Sequence, residues 1–222
     1  MFAGHYAAAF AVKAAEPKAP LWTLVAGCQL IDIGWSIFIA TGIEHAEADP
    51  SLPGSAFVLS DMPWTHSLPA AIVWSVAAGL LASAALRLST RAAVLIGAVV
   101  FSHWLLDLLV HRPDLELFPN GPKVGLGLWN LPVPEQAVEM GLLAVAGIFW
   151  GTSRKSLGQS AWPAALFMAF LVALQIVAMF FPIPPGPLAA QQGLSILAIY
   201  ILATLLAIPL DGKRASSPQA SP

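Results

Sequence analysis

Residues 92–114 read AAVLIGAVVFSHWLLDLLVHRPD. The first twenty of them are apolar enough, and long enough, to cross a hydrocarbon core about 30 Å thick as a single α-helix. The same run nevertheless carries His103, Asp107 and His111, each four residues after the last. On a helix that spacing drifts by only about 40° per step, so the three side chains share one stripe and can converge on a common object.

The chain around this stretch is equally apolar. Of its 222 residues 58% are hydrophobic and 10% charged, and the mean hydropathy is +0.76. That leaves too little polar surface to cover a soluble globule of this size, so an integral membrane protein is expected. Apolar runs at 21–43, 66–86, 92–111, 133–151, 161–182 and 189–210 predict six spans. All should be helical, because a chain in lipid must satisfy its backbone hydrogen bonds internally and these runs lack the apolar/polar alternation of barrel strands. The expected fold class is therefore all-α: a polytopic bundle of about six transmembrane helices, preceded by a short half helix over 4–16 that Pro17 and Pro20 end. No basic leader precedes that first apolar stretch, which predicts a retained segment rather than a cleaved signal. Residues 1–212 read as one membrane domain without internal repeats, and 213–222, ending ASSPQASP, as a disordered cytoplasmic tail.

Charge orients the bundle. Lys13 with Lys18, Arg87 with Arg91, Arg154 with Lys155, and Lys213 with Arg214 form four basic clusters that alternate with acidic, mixed or uncharged connections. The segment 44–65 carries Glu44, Glu47, Asp49 and Asp61 without one Lys or Arg. By the positive-inside rule both termini lie in the cytoplasm of a multi-pass inner-membrane protein, with the lipid bilayer as its surroundings. A net charge of -2 and the lack of a basic patch argue against a nucleic-acid partner. Cys28 is the one cysteine and stands inside an apolar run, so neither a disulfide framework nor a thiolate metal site is available.

Counting about 1.5 Å per helical residue from the basic clusters puts Asp32 and His103 near the midplane, and the half helix lifts His5 about 12 Å from the cytoplasmic face. Asp107, His111, Glu139 and Glu135 follow toward the outside, and His66 opens the second span near that surface. Scattered through lipid, such groups cost roughly 2.5–3.5 kcal/mol each on insertion scales for Asp. Gathered round a cation they would offset one another. Imidazoles and carboxylates without thiolate suit Zn²⁺, and also Mn²⁺ or Fe²⁺, better than Ca²⁺ or Mg²⁺, and the inventory has room for more than one ion.

Each residue also has an ordinary reading. A histidine in a span can hydrogen-bond a neighbouring helix. Asp32 could be a buried proton carrier or a partner of Gln29, and His66 could simply begin a helix behind Pro63. Asp61 fits an N-cap or loop as well as a site, and Glu135 behind Pro134 is explained by the helix dipole. Glu139, a turn deeper, has no such explanation. His5 could be an ordinary near-terminal residue, and Glu44 with His45 a solvated loop.

GHYAAAF near the start, QLIDI, PWTHSL, SHWLLDLLVHRPDL and the downstream GPKVGLGLWN together resemble the bacterial inner-membrane metal-dependent hydrolases, the LexA-regulated hydrolase-like family, over about residues 4–145. That family is in turn similar to zinc-dependent phospholipase C and the nuclease P1 group, helical hydrolases with metals held by His, Asp and Glu. The resemblance implies His5, Asp32, His66, His103 and Asp107 as metal ligands, with His111 and Glu139 as further candidates. The chain departs from the family's fuller PDIDHP motif, having only IDIGW, and has no counterpart of the soluble enzymes' His-x-x-x-Glu. The expected function is hydrolysis of a phosphoester, such as a lipid head group, by a zinc-activated water in a cavity open to the outer leaflet or periplasm. Glu139 is the candidate catalytic base or a further ligand, and Asp61 a second catalytic carboxylate. The alternatives are a proton- or ion-coupled transporter and a non-catalytic subunit of a membrane complex.

Overall fold

A computed structural model describes residues 1–180 and 183–211. The tail expected over 213–222 and the end of the run 161–182 lie outside the described residues. The chain starts with a 3-10 turn, Ala3–His5, that runs into α1 (Tyr6–Ala15). Next come α2 (Leu21–Cys28) and α3 (Leu30–Thr41), then a hairpin of β1 (His45–Ala48) and β2 (Phe57–Asp61). Two long helices follow, α4 (Leu68–Leu86) and α5 (Thr90–Val110), then a short ribbon of β3 (Leu115–Glu116) and β4 (Lys123–Val124). A 3-10 turn at Leu128–Asn130 leads into α6 (Pro132–Ser156), α7 (Trp162–Phe180), β5 (Gly186–Pro187) and α8 (Ala190–Leu210).

Local chemistry sets the boundaries. The hydroxyls of Ser67 and Ser89 accept from the backbone N–H of Ala70 and Ala92 and so cap α4 and α5. Gly42, in the left-handed region at φ 70°, ends α3. Proline at the first turn of α6 starts that helix where its missing N–H costs nothing.

Among the described residues four helices, α4, α5, α7 and α8, are long and apolar enough to cross a membrane, and five spans result if α2 and α3, bent by 54° at their junction, count as one. The expectation of six is thus corrected. The run at 133–151 does form a helix, α6, but Glu135, Glu139, Arg154 and Lys155 keep it from being as apolar as the others. The helix-only expectation needs a second correction. The 44–65 connection pairs β1 with β2, His45 opposite Asp61 and Ala48 opposite Phe57, and β5 adds to the other edge of β1. A connection that long must pair its own backbone groups, and a small antiparallel sheet does so.

The outer faces of the long helices are apolar and exposed, as at Val73, Leu80 and Leu81 on α4 and Phe180 on α7. This is the pattern lipid would cover. The interior is built differently. The half helix α1 runs through the middle of the bundle against α6, α2 and α5, with Tyr6, Ala9 and Phe10 wholly buried. Its run of alanines lets neighbouring backbones come close. Small residues do the same between α4 and α5, where a Cβ at Gly79 would stand 2.8 Å from the Ala93 carbonyl oxygen. At one end of the bundle, Lys13 pairs with Asp211, Arg91 with Glu16, and Ser153 donates to the Ala14 carbonyl. The sheet and the ribbon close the opposite end.

Candidate metal centre

Four separate pieces of chain converge beneath the sheet. The α5 helix supplies His103 and Asp107, and His111 follows at its C-cap. Asp32 comes from the first turn of α3, His66 from the turn before α4, and His5 from the 3-10 turn ahead of α1. All are buried except Asp32, whose side chain is 14% exposed and marks the open edge. Asp107 sits at the centre. Its Oδ1 is 3.1 Å from His5 Nε2 and 3.5 Å from His111 Nε2, and its Oδ2 is 3.0 Å from His103 Nε2 and 3.7 Å from His66 Nε2. Asp32 Oδ1 lies 3.3 Å from His66 Nε2 and 3.4 Å from His103 Nε2. The Met1 amino group is 3.2 Å from Asp107 Oδ1.

A second layer fixes which nitrogen His66, His103 and His111 present. The bend between α2 and α3 leaves the Cys28 carbonyl free of the helical ladder, and it accepts from His103 Nδ1 at 2.8 Å. A carbonyl can only accept, so Nδ1 carries a proton and Nε2 is the atom turned to the carboxylates. His66 Nδ1 is 2.8 Å from the Thr65 hydroxyl, which itself donates to Glu44 Oε2 at 2.6 Å. The hydroxyl proton being committed, Nδ1–H is the donor and Nε2 is again the atom turned inward. Glu44 is held by the backbone N–H of Trp64 and Thr65 on its other oxygen. Burial raises its carboxyl above the ordinary range, and the Thr65 hydroxyl opposes that rise. His111 Nδ1 is 2.9 Å from the Asp114 carboxylate, and Tyr200 donates to Asp32 Oδ2 at 2.7 Å. Rings pinned through Nδ1, with Nε2 turned inward, are the usual arrangement of metal-ligating histidines. The backbone of His66 is fixed as well, its carbonyl accepting from Trp104 Nε1 at 2.9 Å.

This geometry has an electrostatic consequence. His103 Nε2 is buried without a hydrogen-bond partner among the described residues, yet it faces carboxylate oxygens at 3.0 and 3.4 Å. Carboxylate oxygens that close call for positive charge at Nε2, either a proton on it or a cation shared with it. Two sets of donor atoms would suit such a charge, His5 with His103 and Asp107, and Asp32 with His66 and His103, each within 4.8 Å of one another. The donor set, imidazole nitrogen with carboxylate oxygen, fits a divalent cation of the zinc, manganese or iron type.

The two residues expected to do catalysis are placed elsewhere. Asp61 stands on β2, more than half exposed, paired with the still more exposed His45 at 3.1 Å, and takes no part in the buried group. Glu139 is buried on α6, but both its oxygens are engaged by backbone N–H groups, Phe2 at 2.7 Å and Ala3 at 3.1 Å. It anchors the turn that carries His5. Glu135, one turn earlier, accepts from Gln136. The residues that sequence reasoning missed are the outer partners, Glu44, Thr65, Asp114, Tyr200 and the Cys28 carbonyl. Only Asp114, three residues after His111, left a local signal.

No family model, curated protein or solved structure matches the chain. The chemistry of the centre therefore rests on its own geometry.

Thr65→Val tests the second layer directly. It keeps the side-chain shape while removing the hydroxyl that links His66 to Glu44, and loss of such an outer partner typically weakens a metal site about 10–100-fold. Competition with a chromogenic chelator should show zinc affinity lowered by that amount. An unchanged affinity would mean that the Thr65–Glu44 chain does not orient His66.

Proposed function

We propose that this chain is a membrane-embedded, metal-dependent hydrolase acting on a phosphoester, with a lipid head group as the natural substrate class. The observation that carries the reading is His103 Nε2, buried without a hydrogen-bond partner and facing two carboxylates, in a group where His66 and His111 are likewise pinned through Nδ1. His5, His66, His103 and His111 would hold the ion through Nε2, and Asp32 and Asp107 through their inward oxygens. Zinc is the preferred ion, and manganese or iron would be accepted by the same donors. A divalent ion so held supplies a Lewis acid and a nucleophilic water at neutral pH.

The protein's own groups do the rest. The second layer orients His66, His103 and His111 through their Nδ1 atoms. Glu139 positions His5 through the backbone of Phe2 and Ala3. Asp32, the member nearest the surface, stands where a substrate phosphate would arrive, and the apolar faces of the surrounding helices leave that approach open to lipid. The family resemblance in GHYAAAF, PWTHSL and SHWLLDLLVHRPDL supports the same reading, as does the gathering of Lys13, Arg91 and Arg154 at the opposite end of the bundle. Under the positive-inside rule that end faces the cytoplasm, both termini with it, and the centre opens toward the outer leaflet of the bacterial inner membrane.

The test is elemental analysis of detergent-purified protein after mild chelation, together with hydrolysis of bis(p-nitrophenyl) phosphate and of phospholipid in mixed micelles. At least about one retained zinc per chain and metal-dependent cleavage are expected. Absence of bound metal would overturn the reading and favour a transporter that uses these groups as a proton relay. A reporter inserted near Asp49 should be periplasmic and one fused after Arg214 cytoplasmic; the reverse would overturn the orientation.

A further inference from the structure

The α7 helix is buried along one stripe only, Ala164, Phe167, Leu171 and Gln175. One more turn at the same helical spacing brings that stripe to Ala178 and Met179, yet both are exposed, with Ile176, Val177 and Phe180 around them. Toward the sheet, then, the face that α7 turns to the bundle has lost its cover among the described residues. The pairing of the helices gives the reason. The α7 helix packs chiefly on α6, whereas α8 is drawn to α3 and α2, so closely that a Cβ at Gly193 would stand 2.6 Å from the Ser36 carbonyl oxygen. Two consecutive spans held by different partners leave a seam between their sheet-side halves.

The inner end of that seam is polar. Gln175 is 6% exposed. Its Nε2 donates to Gln136 Oε1 at 3.1 Å, and Gln136 Nε2 to Glu135 Oε2 at 2.8 Å. The amide nitrogen is thus committed to α6, while the oxygen, on the other branch of the same amide, is buried without a hydrogen-bond partner among the described residues. One turn along α6 from Gln136, Glu139 accepts from the N–H of Phe2 at 2.7 Å. Phe2 reaches across to the other side of the seam, its carbonyl accepting from Gln29 Nε2 at 3.2 Å and its ring 6.2 Å from that of Tyr200 on α8. Tyr200 in turn holds Asp32, the inward group left partly exposed. An apolar wall, an unpaired acceptor and the open edge of the centre therefore follow one another.

We propose that a phospholipid reaches the centre sideways through the seam between α7 and α8, and that Gln175 Oε1 selects a head group carrying a hydrogen-bond donor. Both helices are long and apolar enough to cross a membrane, so what lies against the uncovered face of α7 is acyl chain. An amide oxygen only accepts, and one buried in such surroundings is costly until a donor meets it. The hydroxyls of a glycerol head group and the ammonium of ethanolamine both supply that donor; the quaternary ammonium of choline has no N–H or O–H to give. The inference rests on the reading of the centre as the place where a phosphoester is cleaved, and its test separates the two.

The full-length protein, purified in detergent, is incubated with equal amounts of dioleoyl phosphatidylglycerol, phosphatidylethanolamine and phosphatidylcholine, gel-filtered, and its retained lipid measured by mass spectrometry. The two donor lipids should be retained over the choline lipid by at least about tenfold; the ratio between them tells which donor Gln175 prefers. Gln175→Met keeps the length and removes the acceptor, and should bring all three lipids to parity. Ala178→Trp, at an exposed position, should fill the seam and lower retention of all three, and Met179→Trp repeats the block should the first variant not fold. Thermal melting checks folding. Parity in the parent, or selectivity that survives in a folded Gln175→Met, would overturn the head-group assignment. Undiminished retention in a folded Ala178→Trp would overturn the seam as the route. Selective retention by a parent that cleaves neither lipid nor bis(p-nitrophenyl) phosphate would overturn the hydrolase reading and leave this one standing, whereas cleavage without selectivity would do the reverse.

Discussion

Asp107→Asn is expected to abolish metal retention while the protein still inserts and folds. Four imidazole nitrogens lie within 3.7 Å of the Asp107 carboxylate, and no other group in the centre reaches all of them. Asparagine keeps the size and one acceptor oxygen, so the packing around α5 is preserved. It loses the charge that offsets a divalent ion and presents an amide N–H₂ where an oxygen ligand is required. Removing one partner of a buried ion pair ordinarily costs about 3–5 kcal/mol, because the other charge is stranded. Here the charge left stranded is the buried Met1 amino group, which pairs with Asp107 Oδ1 at 3.2 Å. The damage should therefore fall on binding and, through that pair, in part on stability. Affinity for zinc should drop more than about 100-fold, beyond the range of outer-layer substitutions such as Thr65→Val. Chelator competition on the purified variant measures it, with thermal melting as the control. A loss of less than about tenfold would show that Asp107 is not a ligand.

The contrast between Asp107 and Thr65 also shows what a linear sequence can reveal here. His103, Asp107 and His111 were legible because helical periodicity alone places residues four apart on one face. The apolar runs were legible because lipid imposes a length and a composition. His5, Asp32 and His66 could be grouped with the stripe through depth along the spans and through motif resemblance, and the structure brings all six side chains together. The outer layer obeys neither rule. Glu44 lies twenty-one residues from Thr65 and looked like part of an acidic loop; only the fold turns it inward. Tyr200 meets Asp32 across 168 positions of chain. The Cys28 carbonyl becomes an acceptor because a helix bends beside it, which composition does not announce. Glu139 was conspicuous for the right reason, a buried carboxylate without a local explanation. Its partners proved to be backbone N–H groups of residues 2 and 3, so its charge is spent on position. The apolar run at 133–151 misled because α6 combines a lipid-like middle with buried acids, of which Glu139 faces the N-terminal turn. The two strands of the 44–65 connection were hidden by its acidic composition, which reads as solvated loop.

Gly125→Ala should disrupt the centre from a distance, and it tests whether His111 is positioned by the loop beyond it. A Cβ on residue 125 would stand 2.5 Å from the His111 carbonyl oxygen and closer still to that of Arg112. Both are backbone atoms, so no side-chain rotation relieves the clash. The loop cannot simply lift away, since Leu126 N–H donates to the Leu108 carbonyl at 2.8 Å and Gly127 N–H to that of His111 at 2.7 Å. These bonds satisfy carbonyls at the C-terminal end of α5 that lack helical partners. The same turn is fastened from outside by Arg112, which donates to the Pro53 and Ser55 carbonyls and lies over the Trp129 ring. One added methyl must therefore displace either the loop or the turn that carries His111. Overpacking typically costs about 1–3 kcal/mol, and a backbone clash without a flexible neighbour belongs at the upper end. Gly141→Ala is the matched control, because a Cβ there meets nothing within 4 Å and alanine in a helix interior gains about 0.5–1 kcal/mol over glycine. Thermal melting should thus fall for Gly125→Ala and hold or rise for Gly141→Ala. Metal content adds the sharper distinction. Displacing His111 removes one inward imidazole from beside Asp107, so Gly125→Ala should bind zinc more weakly than the parent while Gly141→Ala binds it equally well. An unchanged affinity in a folded Gly125→Ala would mean that the loop does not set the His111 position.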